Sequence, residues 1–342
     1  MTRKNYIDYL RVLAILAVIT IHVTGHYYGK FGDIDQISWW FSNVVNSASR
    51  FAVPLFVMIS GVVLLGKTTS TWEFYSKRGF RIFPAIIFWS LFFLAFDFFQ
   101  EMDFDNLFWM VKIGLFSEGK AYYHLWYLSM YVCLMFFVPF INQFINGEKP
   151  TYSDLSILML LFVSFFTLNT IAIGATEIID INIGWFKVFP WYIGYFILGY
   201  YLDKYAHRIN VGSSVILAVL IIILIIAGAL LNFYAVTKGI LQDFFVFNNT
   251  ALPVFIITAL IFLLVKKNER YFKENKLITS LSEASFGMYL IHPFYLYFLR
   301  KLLPEYNEHG VIYVPVTIIL TLVLSYCSIH LLRRYSVFRK VC

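Results

Sequence analysis

The sequence predicts an all-α, polytopic integral membrane protein of about ten transmembrane helices with both termini cytoplasmic. Three observations predict it. Of 342 residues, 60% are hydrophobic and 14% charged, with mean hydropathy +0.72, whereas a soluble domain is far less apolar and more charged. Apolar runs long enough to span recur along the chain. Basic residues gather in alternate short loops, roughly eighteen on one side against seven on the other, which is a positive-inside pattern. Topology thus accounts for the formal charge of +7, and nucleic acid is not an expected partner.

The first run, 6–28, follows Arg3 and Lys4 as a signal sequence does. No small-residue cleavage site follows, so it is expected to be retained. The second, 38–65, enters at Trp39-Trp40 and carries Arg50 and Pro54; a proline there frees a carbonyl and can kink the helix. The third, 80–100, opens on Lys77-Arg78-Gly-Phe-Arg81-Ile-Phe-Pro84. Residues 107–116 are too short to span and are expected along the interface. The fourth, 123–145, begins in Tyr122-Tyr123-His124-Leu125-Trp126-Tyr127. A fifth follows at 154–174, and a sixth at 186–203, short and ending on Asp203-Lys204. Runs at 211–236, 247–266, 281–300 and 311–332 complete the set. The 37 Phe and 24 Tyr suit helices that pack in lipid and anchor at its interfaces. The 3 cysteines show neither a disulfide framework nor metal spacing. No linker interrupts the chain, so one membrane domain is expected over 1–342.

Five constellations can carry chemistry. Arg11 and His22 lie eleven residues apart, close to three turns and about 16 Å along one helix face. Asp8, one turn before Arg11, can pair with it. A titrating group in a lipid-spanning segment is expensive and usually functional, although a snorkelling Arg11 and a core His22 are the structural alternative. His26 adds a second potential ligand but no third is indicated, so no metal is expected. Arg50 lies roughly 15 Å inside the outer interface by helical rise. Its guanidinium keeps its proton and needs a strongly polar partner there, in an ion pair or a site. Lys77, Arg78 and Arg81 can hold phosphates or serve as ordinary positive-inside anchors. His124 and Trp126 fit an aromatic belt, or a face that reads a hydroxylated acceptor. Ser285, Tyr289 and His292 are spaced i, i+4, i+7, a polar stripe on the ninth run. With Arg50 and His22 at similar depth, that stripe reads as the lining of a cavity.

These strings occur in the order found in the membrane acyltransferase-3 family, and the resemblance spans nearly the whole chain. Tyr6-Ile-Asp8-Tyr-Leu-Arg11 with His22 resembles that family's first-helix Arg–His pair. Asn46-Ser-Ala-Ser-Arg50, continuing to Val53-Pro54-Leu-Phe and Met58-Ile-Ser60-Gly61, carries the resemblance furthest, and Tyr123-His124-Leu-Trp126 and the Ser285–His292 stripe agree with it. The resemblance implies a multi-pass protein of the bacterial plasma membrane. It also implies acyl transfer from cytoplasmic acyl-CoA, usually acetyl-CoA, to a hydroxyl of a cell-surface glycan or its lipid-linked precursor. His22 would be the catalytic base or acyl relay, supported by Arg11, while Lys77, Arg78 and Arg81 would meet the donor's phosphates. The family usually has arginine where Lys77 stands, and some members carry an extracytoplasmic esterase-like domain for which this chain has no segment. Arg50 would stabilise the oxyanion, where a dry site makes charge most effective. Two other classes stay open: a glycan exporter, and a sensor or amino-acid permeation domain of the serine-racemase type.

The topology is testable directly. Reporter fusions after Lys340 and within residues 101–121 should report opposite sides of the membrane, the first inside. Reporters on the same side would contradict the ten-span reading.

Overall fold

The computed structural model describes residues 3–28, 30–101, 123–149, parts of 151–164, 185–209, 212–239, 248–303 and 309–342; among these every regular element is helical. The helices are α1 (Asn5–Tyr28), α2 (Gln36–Ser47), α3 (Ala52–Leu64), α4 (Thr71–Glu101) and α5 (Trp126–Asn146). They continue as α6 (Trp185–Tyr205), α7 (Ser214–Lys238), α8 (Leu252–Lys267), α9 (Lys276–Leu302) and α10 (Gly310–Leu332). Among the described residues six stretches are long and apolar enough to cross a membrane: Asn5–Tyr27, Gln36–Leu64, Thr71–Gln100, Trp126–Asn146, Ser214–Lys238 and Gly310–Leu332. The runs expected at 186–203, 247–266 and 281–300 are helices too. The run at 154–174 falls largely outside the described residues, and 107–116 wholly so. The chain divides into two compact units, one formed by residues 1–63 and 195–334, the other by 64–194 and 335–342.

In the first unit α1 is the hub, packing on α2, α8, α9 and α10. Leu10, Ala14, Ile15, Ile19 and Val23 are buried along it. α7, the most apolar of the candidate spans, buries least and presents Ile222, Ile223 and Leu230 outward. That ordering is what lipid imposes: the greasiest helix faces the solvent, and polar residues turn inward. One end of the unit is tied by ions. Asp8 accepts from Arg3 at 2.7 Å, and Arg3 also reaches Glu283 at 3.1 Å, which meets Arg333 at 3.7 Å. Asp203 pairs with Lys4 at 2.5 Å and Lys266 at 3.3 Å, and Tyr6 donates its hydroxyl to it. The starts of α1 and α9 and the ends of α6, α8 and α10 therefore share one end, as alternating spans require.

The span expected at 38–65 is present as Gln36–Leu64, with an irregular turn inside it. The chain leaves α2 at Ser47 and re-enters helix at Ala52. Across the break Ser49, Arg50 and Ala52 donate their amides three residues back, to Asn46, Ser47 and Ser49. Pro54 explains it. Its ring has no N–H to give the Arg50 carbonyl and would collide with it in a regular helix, so the helix starts afresh with Pro54 in its first turn. Arg50 thus sits in a break, not on a helix face.

Close packing of α3 on α6 depends on two glycines. A Cβ built on Gly61 would overlap the Phe196 carbonyl oxygen, and one on Gly199 the Met58 carbonyl oxygen. Small residues let membrane helices approach backbone to backbone, where packing rather than the hydrophobic effect holds them.

In the second unit α4 packs on α5. Asn142 of α5 clasps the end of α3, accepting from the Gly66 amide at 2.8 Å and donating to the Leu64 carbonyl at 3.2 Å. Tyr75 donates to the Phe136 carbonyl at 2.6 Å, and Trp89 holds the C-terminal tail by donating to the Val341 carbonyl at 2.8 Å.

Gly199→Ala should destabilise the detergent-solubilised protein by about 1–3 kcal/mol, the usual result of overpacking. Gly194→Ala on the same helix meets nothing within 4 Å and should leave the thermal midpoint unchanged. Equal midpoints for the two variants would contradict the backbone contact.

Candidate active site

Two of the expected residues meet through packing. The imidazoles of His22 on α1 and His292 on α9 stack with centroids 5.0 Å apart and planes at 25°. His292 is fully buried and His22 partly so. The orientation of His292 follows from its neighbour. Pro293 has no N–H to give the carbonyl four residues back, that of Tyr289. His292 Nδ1 takes this acceptor instead, at 2.6 Å. Because a carbonyl only accepts, the neutral ring carries its proton on Nδ1 and leaves Nε2 as a base. Tyr289 lies beside it, ring centroids 5.9 Å apart.

Arg50 reaches the same region through a relay. Its Nε donates to Asn46 Oδ1 at 2.7 Å, and Asn46 Nδ2 donates to Thr24 Oγ1 at 2.7 Å and towards the Ile21 carbonyl at 3.4 Å. Thr24 donates in turn to the Thr20 carbonyl at 2.7 Å. The break between α2 and α3 is thereby fastened to the turn of α1 that carries His22. From α9, Arg300 donates to the His22 carbonyl at 2.7 Å.

Other expected residues lie elsewhere. Arg11 stands at the ionic end, 3.8 Å from Asp8, whose other oxygen accepts from Arg3. It is about three turns below His22 on the same helix, as its spacing requires. Ser285 is buried and donates to the Ser282 carbonyl at 2.8 Å within its own helix.

In the second unit the three cations at the start of α4 diverge. Lys77 is exposed and pairs with Glu73 at 2.6 Å. Arg78 is half-buried with its guanidinium 5.8 Å from the Phe74 ring centre, and Arg81 is exposed. Lys67 joins this group: burial first, then the charge of Arg78, hold its ammonium below its usual pKa. An anion arriving there would relieve that repulsion. Beside the start of α4 is a polar cavity of about 640 Å³ lined by Thr68, Ser70, Thr71 and Lys149 among others, but not by Lys77, Arg78 or Arg81. His124 is buried with its ring edge-on to Phe93 at 5.2 Å, and Trp126 lies 6.0 Å from the Tyr192 ring.

Sequence reasoning missed Asn46, Thr24, Arg300 and Lys67. Arg300 carried a signal: it continues the Tyr289–His292 stripe by eight residues, two turns or so further on. Asn46, four residues before Arg50, carried another. Thr24 looks like any hydroxyl in an apolar run.

A family model described as an acyltransferase domain matches residues 4–330. No curated protein and no solved structure shows a significant match.

The relay makes a specific demand of Asn46. Asn46→Leu removes the acceptor it offers Arg50 and should lose about 1.5–3 kcal/mol, typical of a hydrogen bond to a charged group. Asn46→Asp keeps that acceptor and should fall between the two in thermal unfolding. Wild-type stability in Asn46→Leu would show the relay to be dispensable.

Proposed function

The chain belongs to the acyltransferase-3 family of membrane acyltransferases, and from that premise we propose an O-acetyltransferase. It would move acetyl from cytoplasmic acetyl-CoA to a hydroxyl of a cell-surface glycan or its lipid-linked precursor, in a bacterial plasma membrane. The observation that carries the reading is the stacked His22–His292 pair inside the bundle, with Arg50 and Arg300 both bonded to its surroundings. The choice of acetyl and of an envelope saccharide rests on the Asn46–Gly61 string, which looks most like that of the O-acetyltransferase of enterobacterial common antigen. No curated match supports that closer kinship.

The chemistry follows from these groups. A neutral imidazole takes the acceptor hydroxyl's proton as the oxygen attacks the thioester carbonyl. His22 is the base in this reading, and His292, with its proton fixed on Nδ1, orients it by stacking or accepts in its place. Arg50, held by Asn46, stabilises the oxyanion that forms. Arg11 and its Asp8 partner support the far end of the same helix. Lys67, Arg78 and Arg81 have the charge that the donor's phosphates require, and the ion pair of Lys77 with Glu73 makes it the weakest of the group. Tyr289 offers a ring and a hydroxyl to a saccharide, and in the second unit His124 and Trp126 supply rings of the kind that suit sugar faces.

Removing the base tests this. His22→Ala should reduce acetyl transfer in membranes by about 10²–10⁴-fold at matched protein level, the usual contribution of general acid–base catalysis. Arg78→Ala should instead raise the acetyl-CoA concentration needed, by roughly one to two decades for one charge-assisted contact. Near-normal transfer in His22→Ala would make that histidine structural. Glycan movement without any requirement for acetyl-CoA would favour an exporter.

A further inference from the structure

Among the described residues of the first unit, four hydroxyls are buried without a hydrogen-bond partner: Ser42 on α2, and Thr317, Thr321 and Ser325 on α10. Each has zero exposure. Elsewhere in this unit buried hydroxyls are satisfied, for Thr20, Thr24, Ser47, Ser49 and Thr258 all donate to the carbonyl four residues back. The four exceptions share one groove. On α10 the three are spaced i, i+4, i+8 on the face that also holds Gly310 and Ile329. Gly310 abuts Tyr27 of α1 and Ser38 of α2, and Ile329 abuts Gly287 of α9. Ser42 lies one turn beyond Ser38 on the same face of α2.

The depths are informative. α10 runs antiparallel to α1, with Gly310 level with Tyr27. Counting down both helices at about 1.5 Å per residue, Thr317 is level with Thr20, within a turn of His22, and Ser325 is level with Val12, beside Arg11 and about one turn from Asp8. The hydroxyls thus cover the three turns that separate the histidine pair from the Arg11–Asp8 ion pair.

We propose that Ser42, Thr317, Thr321 and Ser325 line a file of buried water that connects the His22–His292 pair with the Arg11–Asp8 end and serves as its proton route. Buried polar atoms left unbonded by protein are where internal water is held, each water bonding two to four such groups. The proton role rests on the acyl-transfer reading. There the O–H of the acceptor gives its proton to His22, the C–O bond forms as the C–S bond breaks, and the departing thiolate must gain a proton. The thiolate leaves the same carbon that the hydroxyl attacks, withdraws with the donor to the ionic end and takes a proton from water there, while the file returns the proton held on His22 to that end and restores the neutral base.

Hydration is tested without any turnover. In the full-length chain carrying Cys133→Ala, Cys327→Ala and Cys342→Ala, single variants Thr317→Cys, Thr321→Cys and Ser325→Cys are reconstituted in vesicles and exposed to silver ion. Thiols that survive are counted with a maleimide after denaturation. Silver is small enough for a single file and reacts with a thiol that water can reach. The three should be consumed at least tenfold faster than Ile319→Cys and Val323→Cys, which face outward on the same helix. Equal rates would overturn the water file. Acetyl transfer should fall at least fivefold in Thr321→Val, which keeps the volume and loses the hydroxyl, and stay near wild type in Thr321→Ser. Silver access with unchanged transfer in Thr321→Val would overturn the proton route. A wild-type protein with no acetyl transfer would remove the proposed function, while the silver rates would still decide the file.

Discussion

A polar group inside a bilayer must find its partner within the protein, because hydrocarbon offers none. The arrangement of the first unit follows from that constraint. Asn43 donates to the Ala229 carbonyl at 2.9 Å and accepts from Asn232 at 2.8 Å, which fixes α2 against α7. Asn46 fixes α2 against α1, and Arg300 fixes α9 against α1. Helices that would slide past each other in lipid are set in register by a few amides and one guanidinium. Interhelical bonds of this kind are individually modest, so their effect is to select one arrangement from many of similar packing energy.

Two prolines convert this constraint into chemistry. Pro54 turns an apolar helix into a break, and the break places Arg50 where an amide oxygen meets it. Pro293 leaves a carbonyl without its helical donor, and the imidazole next to it takes the vacancy and is fixed in one tautomer. In both cases a missing N–H decides where an ionisable side chain can act. A base built this way needs no carboxylate behind it, a partner that would itself be expensive at that depth.

Much of this was legible in the sequence, and the remainder has identifiable reasons. Apolar run length marked where the long helices lie, since it acts locally. The i, i+4, i+7 spacing gave the Tyr289–His292 face. The stacking of His22 on His292 was not readable, because two helices far apart in the chain must be brought together by packing that no local pattern encodes. Arg300 read as an outer loop charge, since its position near a helix end is also where snorkelling cations lie. Nor does a stripe reveal which of its hydroxyls bonds back to its own helix, as that of Ser285 does. The second span is irregular near Pro54, as its proline led one to expect, but no local pattern showed that the irregular turn precedes the proline.

The hub helix α1 leaves the ribosome long before the partners that complete its surroundings, α9 and α10. At roughly 5–20 residues per second, on the order of tens of seconds separate the synthesis of His22 from that of His292. During that interval α1 carries its arginine and histidine into the membrane with neither the stacked ring nor the Arg300 guanidinium beside them. α1 therefore waits in the membrane with its polar groups unscreened until α9 and α10 are made. Slow codons in the intervening stretch would lower the yield of intact protein without altering a single contact in the finished one.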